Sequence, residues 1–122
     1  MPEYIAPFSP GRNVTLRTSA TVVGGRLLAV TGPSLVAETS AATSAWVGVA
    51  TTDAASGADV GVTSGGVQEL TANAAVTAGQ VLVPAANGRV APIGAGTDYS
   101  QVVGLALTSA ASGATVRVKL AR

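Results

Sequence analysis

Cysteine and histidine are both absent from the 122 residues. Without cysteine, neither disulfides nor thiolate metal sites can hold the fold. Without histidine, the usual general base and a principal metal ligand are missing. Aromatic residues are nearly as scarce, with one Trp, one Phe and two Tyr. Charged residues make up 11% and leave a net charge of +1, against about 25% charged residues in an average globular domain. A nucleic-acid partner calls for a basic stripe and stacking rings. Here the basic cluster is Arg117, Lys119 and Arg122, read as a solvated or subunit-facing strand edge. No stretch approaches the ~18 apolar residues that cross a bilayer, and the start MPEYIAPFSPGR has no signal-peptide pattern. Neither nucleic acid nor membrane is expected as a partner, and synthesis in the cytosol is expected.

What the chain has in quantity is small apolar residues. Hydrophobic residues are 48% of the sequence, mostly Ala and Val. A buried Val contributes roughly 1.5 kcal/mol and an Ala much less, so a core made from them gains from extra burial between subunits. A surface poor in charge suits a protein largely covered by partners. A homo-oligomer is the expectation.

From Val14 onward, short apolar runs alternate with polar residues and are cut at close intervals by Gly, Ser, Asn and Asp, the signature of strands and tight turns. Strands are predicted at Val14–Thr18, Arg26–Val30, Ser34–Ala37, Trp46–Thr51, Ala58–Ser64 and Val67–Thr71. Further strands are predicted at Gln80–Pro84, Arg89–Ile93, Val102–Thr108 and Ala114–Leu120. One helical stretch, of a turn or two, is predicted at Glu38–Ala45, where Ala favours and Ser/Thr opposes it. Residues 2–11 carry Pro2, Pro7 and Pro10 interleaved with Tyr4, Ile5 and Phe8. Proline cannot donate to a ladder, so residues 1–13 read as an extended arm and residues 14–122 as a single β-domain.

An internal repeat organises that domain. Val47–Val62 (VGVATTDAASGADVGV) matches Val103–Val118 (VGLALTSAASGATVRV) at eleven of sixteen positions, with an offset of 56. Upstream, Ala20, Val22 and Gly25 correspond to Ala74, Val76 and Gly79 with an offset of 54. Two copies are too few for an open-ended solenoid. The units, about 14–62 and 68–118, are expected to pack together as one barrel or sandwich. Gly57 and Gly113 would take the positive φ of the hairpin turn. Val116, Val118 and Leu120 would face the core, with Arg117 and Lys119 on the other side. Trp46 is expected in the core.

Chemistry-bearing residues are few. Glu3, Glu38, Asp53, Asp59, Glu69 and Asp98 are scattered singly, so a carboxylate pair could come together only through the fold. Asp53 and Asp59 flank one hairpin, but their repeat counterparts are Ser109 and Thr115, which favours a solvated turn. Gly94-Ala95-Gly96 lacks the third glycine and the lysine of a phosphate loop. No enzymatic activity, cofactor, metal or small-molecule substrate is expected.

The order Ala74-x-Val76-x-x-Gly79-x-Val81-Leu82-Val83, then Asn87-Gly88-Arg89-Val90-Ala91-Pro92, then Val103-Gly104-Leu105-Ala106-Leu107 through Gly113 to Val118 resembles the capsid decoration, or head cement, proteins of tailed bacteriophages. The resemblance covers about residues 12–120. It implies an all-β, single-domain β-barrel or β-tulip that adds, commonly as a homotrimer, to the outer surface of the expanded head. The major capsid protein would be its partner, and the capsid of the virion its location. On that basis Tyr4, Ile5, Phe8 and Arg12 are the expected capsid contacts, the rings filling pockets and the guanidinium reaching a carboxylate or carbonyl. The residues alone also admit a carbohydrate-binding or adhesin-like β module of a phage tail or cell surface.

Overall fold

The computed structural model describes residues 14–96 and 98–121. Ten strands account for most of the regular structure. Val, Thr and Leu dominate them, and their side chains fit a pleated, half-buried surface. In the first half the strands are β1 (Val14–Thr18), β2 (Leu27–Gly32), β3 (Leu35–Glu38), β4 (Trp46–Ala50) and β5 (Asp59–Thr63). In the second they are β6 (Val67–Thr71), β7 (Val81–Ala85), β8 (Arg89–Pro92), β9 (Gly104–Ala106) and β10 (Thr115–Leu120). All ten predicted strands are present, with ends shifted by a residue or two. The fold is all-β and is built from two similar units.

Strands β1 to β5 form a closed barrel in the order β1-β3-β2-β4-β5. Parallel pairing of β1 with β3, at Thr18 and Val36, and antiparallel pairing of β1 with β5 close it. The second half repeats the scheme as a five-stranded sheet in the order β6-β10-β9-β7-β8. Its ends meet at a single parallel bridge, Ala72 to Val90, which is the Thr18–Val36 pair advanced by the repeat offset. The bridge from Val22 to Ala54 recurs as Val76 to Ala110. The two extra residues of the second copy fall between β8 and β9, in the connection that holds a 3-10 turn at Tyr99–Gln101.

Two glycine positions are dictated by backbone approach. A Cβ at Gly48 would overlap the carbonyl oxygen of Thr63, and one at Gly104 would overlap that of Lys119. These glycines let β4 close on β5 and β9 on β10, which accounts for the glycine of the Val-Gly-x-Ala motif in both copies. At the hairpins, Gly57 and Gly113 have φ of 82° and 85°, and their N–H groups donate to the Thr18 and Ala72 carbonyls. The alternation in β10 is as expected, with Val116, Val118 and Leu120 buried and Arg117 and Lys119 exposed.

Glu38–Ala45 contains no helix. Thr39 explains why, since its backbone and side chain are already committed elsewhere. Its N–H donates to the Leu27 carbonyl, and its buried hydroxyl donates to the Ala85 carbonyl at 2.8 Å. The Thr43 hydroxyl accepts from Ala45 N–H, the side-chain competition that disfavours helix in Ser/Thr-rich segments.

There are two cores. Val22, Leu28, Val36, Ala50, Val60 and Val62 fill the first barrel. The second core is larger: to the inward residues of β6 to β10 it adds Leu27, Trp46 and Val49 from the outer side of the first barrel. Trp46 lies at this junction, 1% exposed, and its indole N–H donates to the Val102 carbonyl at 3.2 Å. It is a core residue, as expected, but of the seam between the units.

Trp46→Ala should destabilise the fold by about 3–5 kcal/mol, the usual cost of removing a large buried ring. Gly104→Ala should lose about 3 kcal/mol through backbone overlap, the upper part of the overpacking range, whereas Gly113→Ala meets open space and should lose only about 1 kcal/mol from its positive φ. Chemical denaturation of the three variants checks the order.

Candidate interaction surface

The arm residues expected to touch the capsid, Tyr4, Ile5, Phe8 and Arg12, lie outside the described residues. The described chain starts at Val14, which pairs with Val62 of β5.

The five carboxylates among the described residues are all in structural contacts. Glu38 takes the Arg26 guanidinium at 2.9 Å and the Val23 N–H. Asp59 pairs loosely with Arg17, and Glu69 with Arg117 at 3.4 Å. Both of these pairs are well exposed and contribute little to stability. Asp98 caps the 3-10 turn at Ser100 N–H. Asp53 accepts the Gly24 N–H at 2.7 Å, and at the equivalent place in the second unit the Ser109 hydroxyl accepts the Ala78 N–H at 3.0 Å. The Asp53/Ser109 difference is thus two ways of satisfying one turn amide. No group of three or more metal-ligating side chains occurs among the described residues.

What the surface offers instead is apolar area. Across β6, β10, β9 and β7, residues Val67, Lys119, Leu105 and Val81 stand in register on the outward face. Val67 is 53% exposed, Leu105 42% and Leu107 45%. Beside them Val81, Val102, Leu105, Lys119 and Leu120 line an open depression of about 420 Å³. A second depression of about 470 Å³ lies between the units, lined by Val49, Thr63, Val67 and Glu69. The sequence reading missed Leu105 and Leu107 as surface residues. They sit in VVGLAL, an all-apolar run with no polar residue to mark its outward face. Only from Gly104 to Leu107 does burial alternate, with Gly104 and Ala106 inward and Leu105 and Leu107 outward.

Geometry of this kind suits binding to another protein, and the comparisons with known proteins bear on which kind. The family model for phage cement proteins matches residues 8–120. The chain belongs to the phage cement protein family. A search of curated proteins finds no match. Among solved structures, this cement-family chain is similar to the N base of the head fiber gp8.5 of bacteriophage phi29, with a TM-score of 0.72 and 24% identity over 89% of this chain and 92% of that one. At that identity the likeness establishes a shared fold.

If Asp53 only satisfies a turn amide, Asp53→Ser should keep the folding free energy within about 0.5 kcal/mol of wild type. Asp53→Ala, which leaves Gly24 N–H without its side-chain acceptor, should lose about 1 kcal/mol. Urea denaturation at neutral pH separates the two.

Proposed function

We propose that this protein is a non-enzymatic decoration protein that binds the outer surface of a phage head and clamps neighbouring major capsid protein subunits. The family match over residues 8–120 carries the reading. The chain's own chemistry agrees with it. The described carboxylates are engaged in structural contacts, and the outward face of the second sheet is apolar around Leu105 and Leu107. A homotrimer is the proposed working form, because a subunit that touches the head at several points at once dissociates slowly even when each contact is weak.

The arm is the proposed head-binding element. Tyr4, Ile5 and Phe8 would fill apolar pockets, with Arg12 bonded to an acceptor; the matched region includes Phe8 and Arg12. Aromatic and arginine side chains are the residue types that dominate binding energy at interfaces. A carbohydrate-binding role finds less support. Trp46 is buried, and Tyr99, 68% exposed, is the exposed ring among the described residues, so no platform of several rings is present there.

Co-sedimentation with expanded empty heads tests the proposal on the full-length chain and on one beginning at Asn13. Saturable binding by the full-length chain is expected, with at least ~100-fold weaker binding without the arm, the effect of losing two or more hot-spot side chains. Equal binding by both chains would rule out the arm as the contact. Binding by neither would remove the decoration reading.

A further inference from the structure

One dipeptide in the chain combines a demanding backbone with a reactive side chain. Asn87 and Gly88, in the turn between β7 and β8, both hold left-handed backbone, with φ of 59° and 67°. Asn is among the few non-glycine residues that accept this conformation. Gly88 accepts no substitute, because a Cβ there would lie 2.6 Å from the Arg26 Cβ and 3.1 Å from the Leu27 nitrogen. The turn that meets the first unit is therefore written as Asn-Gly, the sequence in which a backbone nitrogen most readily attacks the preceding side-chain amide. The other asparagines are followed by larger residues, Asn13 by Val14 and Asn73 by Ala74.

The folded geometry holds that reaction off. A ψ of 35° at Asn87 turns the Gly88 nitrogen nearly anti to the Asn87 Cβ, away from the side-chain carbon it would attack. Its proton is held as well, because Gly88 N–H donates to the Thr39 carbonyl at 3.0 Å. Thr39 in turn is fixed through its buried hydroxyl, which donates to the Ala85 carbonyl at 2.8 Å. Attack needs rotation about ψ, and that rotation breaks the bond between Gly88 and Thr39. Water already reaches the amide, since Asn87 is exposed on an open depression of about 240 Å³ shared with Ala20 and Glu38. Only the nucleophile is withheld.

We propose that Asn87 is a self-modification site, locked while Thr39 holds Gly88 and released when the seam between the units opens. On release the Gly88 nitrogen loses its proton and bonds to the Asn87 side-chain carbon. The amide nitrogen leaves as ammonia, which closes a succinimide ring. Water then opens the ring at either of its carbonyls. One product is aspartate, with the backbone unchanged. The other is isoaspartate, whose main chain runs through the side chain and is longer by one methylene. At Gly88 the passage beside Arg26 and Leu27 has no room even for a Cβ, so the isoaspartyl chain cannot re-form the bonds to Thr39. Opening of the seam thus becomes irreversible for part of the chains that undergo it. The inference concerns the chain alone and does not depend on head binding.

Mass spectrometry with peptide mapping tests it on the full chain, held at mildly alkaline pH in buffer or in denaturing guanidinium chloride. Conversion at Asn87 is expected in both, at least ~30-fold slower in buffer, where it waits on local opening of the seam. Thr39→Val removes the hydroxyl but keeps the carbonyl. It should raise the rate in buffer about 5-fold, the effect of one lost buried hydrogen bond, and leave the rate in denaturant unchanged. After return from denaturant to buffer, chains with aspartate should regain protease resistance, whereas those with isoaspartate, identical in mass, should stay sensitive. Equal rates in buffer and denaturant would overturn the proposal, as would conversion at Asn73 ahead of Asn87. So would a folded Thr39→Val with an unchanged rate, or isoaspartyl chains that recover resistance. The wild-type comparisons decide even where Thr39→Val does not fold.

Discussion

The packing of the Trp46 indole against the second unit is the constraint on which the remainder depends. Each half contributes only five short strands and a set of Val, Leu and Ala side chains, and a unit of that size is marginal by itself. The indole supplies a large buried area where the halves meet. Its N–H finds the Val102 carbonyl, so the polar end of the ring is not left unpaired in the seam. Val102 is Trp46's own counterpart in the repeat. The sequence therefore breaks its symmetry where it must, with one copy supplying the ring and the other the backbone acceptor and the space around it.

The same broken symmetry runs through the polar residues. Where the first unit holds Val23 N–H with Glu38, the second holds the equivalent Thr77 N–H with Gln80. Each unit places one cross-strand ion pair on the outside of its first and last strands, Arg17 with Asp59 in one and Arg117 with Glu69 in the other. The two pairs occupy different rungs of the equivalent ladders. Backbone demands are kept while the side chains that meet them vary, as expected when an amide needs an acceptor but not a particular one.

Legibility in the sequence followed the range of the forces. Strands were readable because alternation and turn glycines are local, and Gly57 and Gly113 had one conformation open to them that other residues rarely adopt. The repeat was readable because VGVA and VGLA are constrained by the same close approach at Gly48 and Gly104. The predicted helix at Glu38–Ala45 failed because Thr39 is claimed by Leu27 and Ala85, the latter 46 residues away, and propensity does not register such partners. The tasks of Asp53 and Ser109 were hidden for the same reason, with the amides they hold 29 and 31 residues distant. Leu105 was hidden by its apolar neighbours. Of the interaction surface, the arm was proposed from Tyr4, Ile5, Phe8 and Arg12, and the outward face of the second sheet became visible only with the register.

Scarcity of charge also bears on how such a surface would hold a partner. Apart from the paired Arg17, Arg26 and Arg117, the cations among the described residues are Arg89 and Lys119. Long-range steering by a field this weak is small, and contacts made by Leu105, Leu107 and their neighbours carry little of the salt dependence that screens exposed ion pairs. Under the proposed role at a phage head, adhesion would come from shape and apolar area shared over several copies, a mode that persists as ionic strength changes. It also requires the face to be correctly built before binding, because an apolar contact has no reach beyond van der Waals distance. The rigid register of β6, β10, β9 and β7 provides that, and the Trp46 seam holds the sheet in place against the barrel.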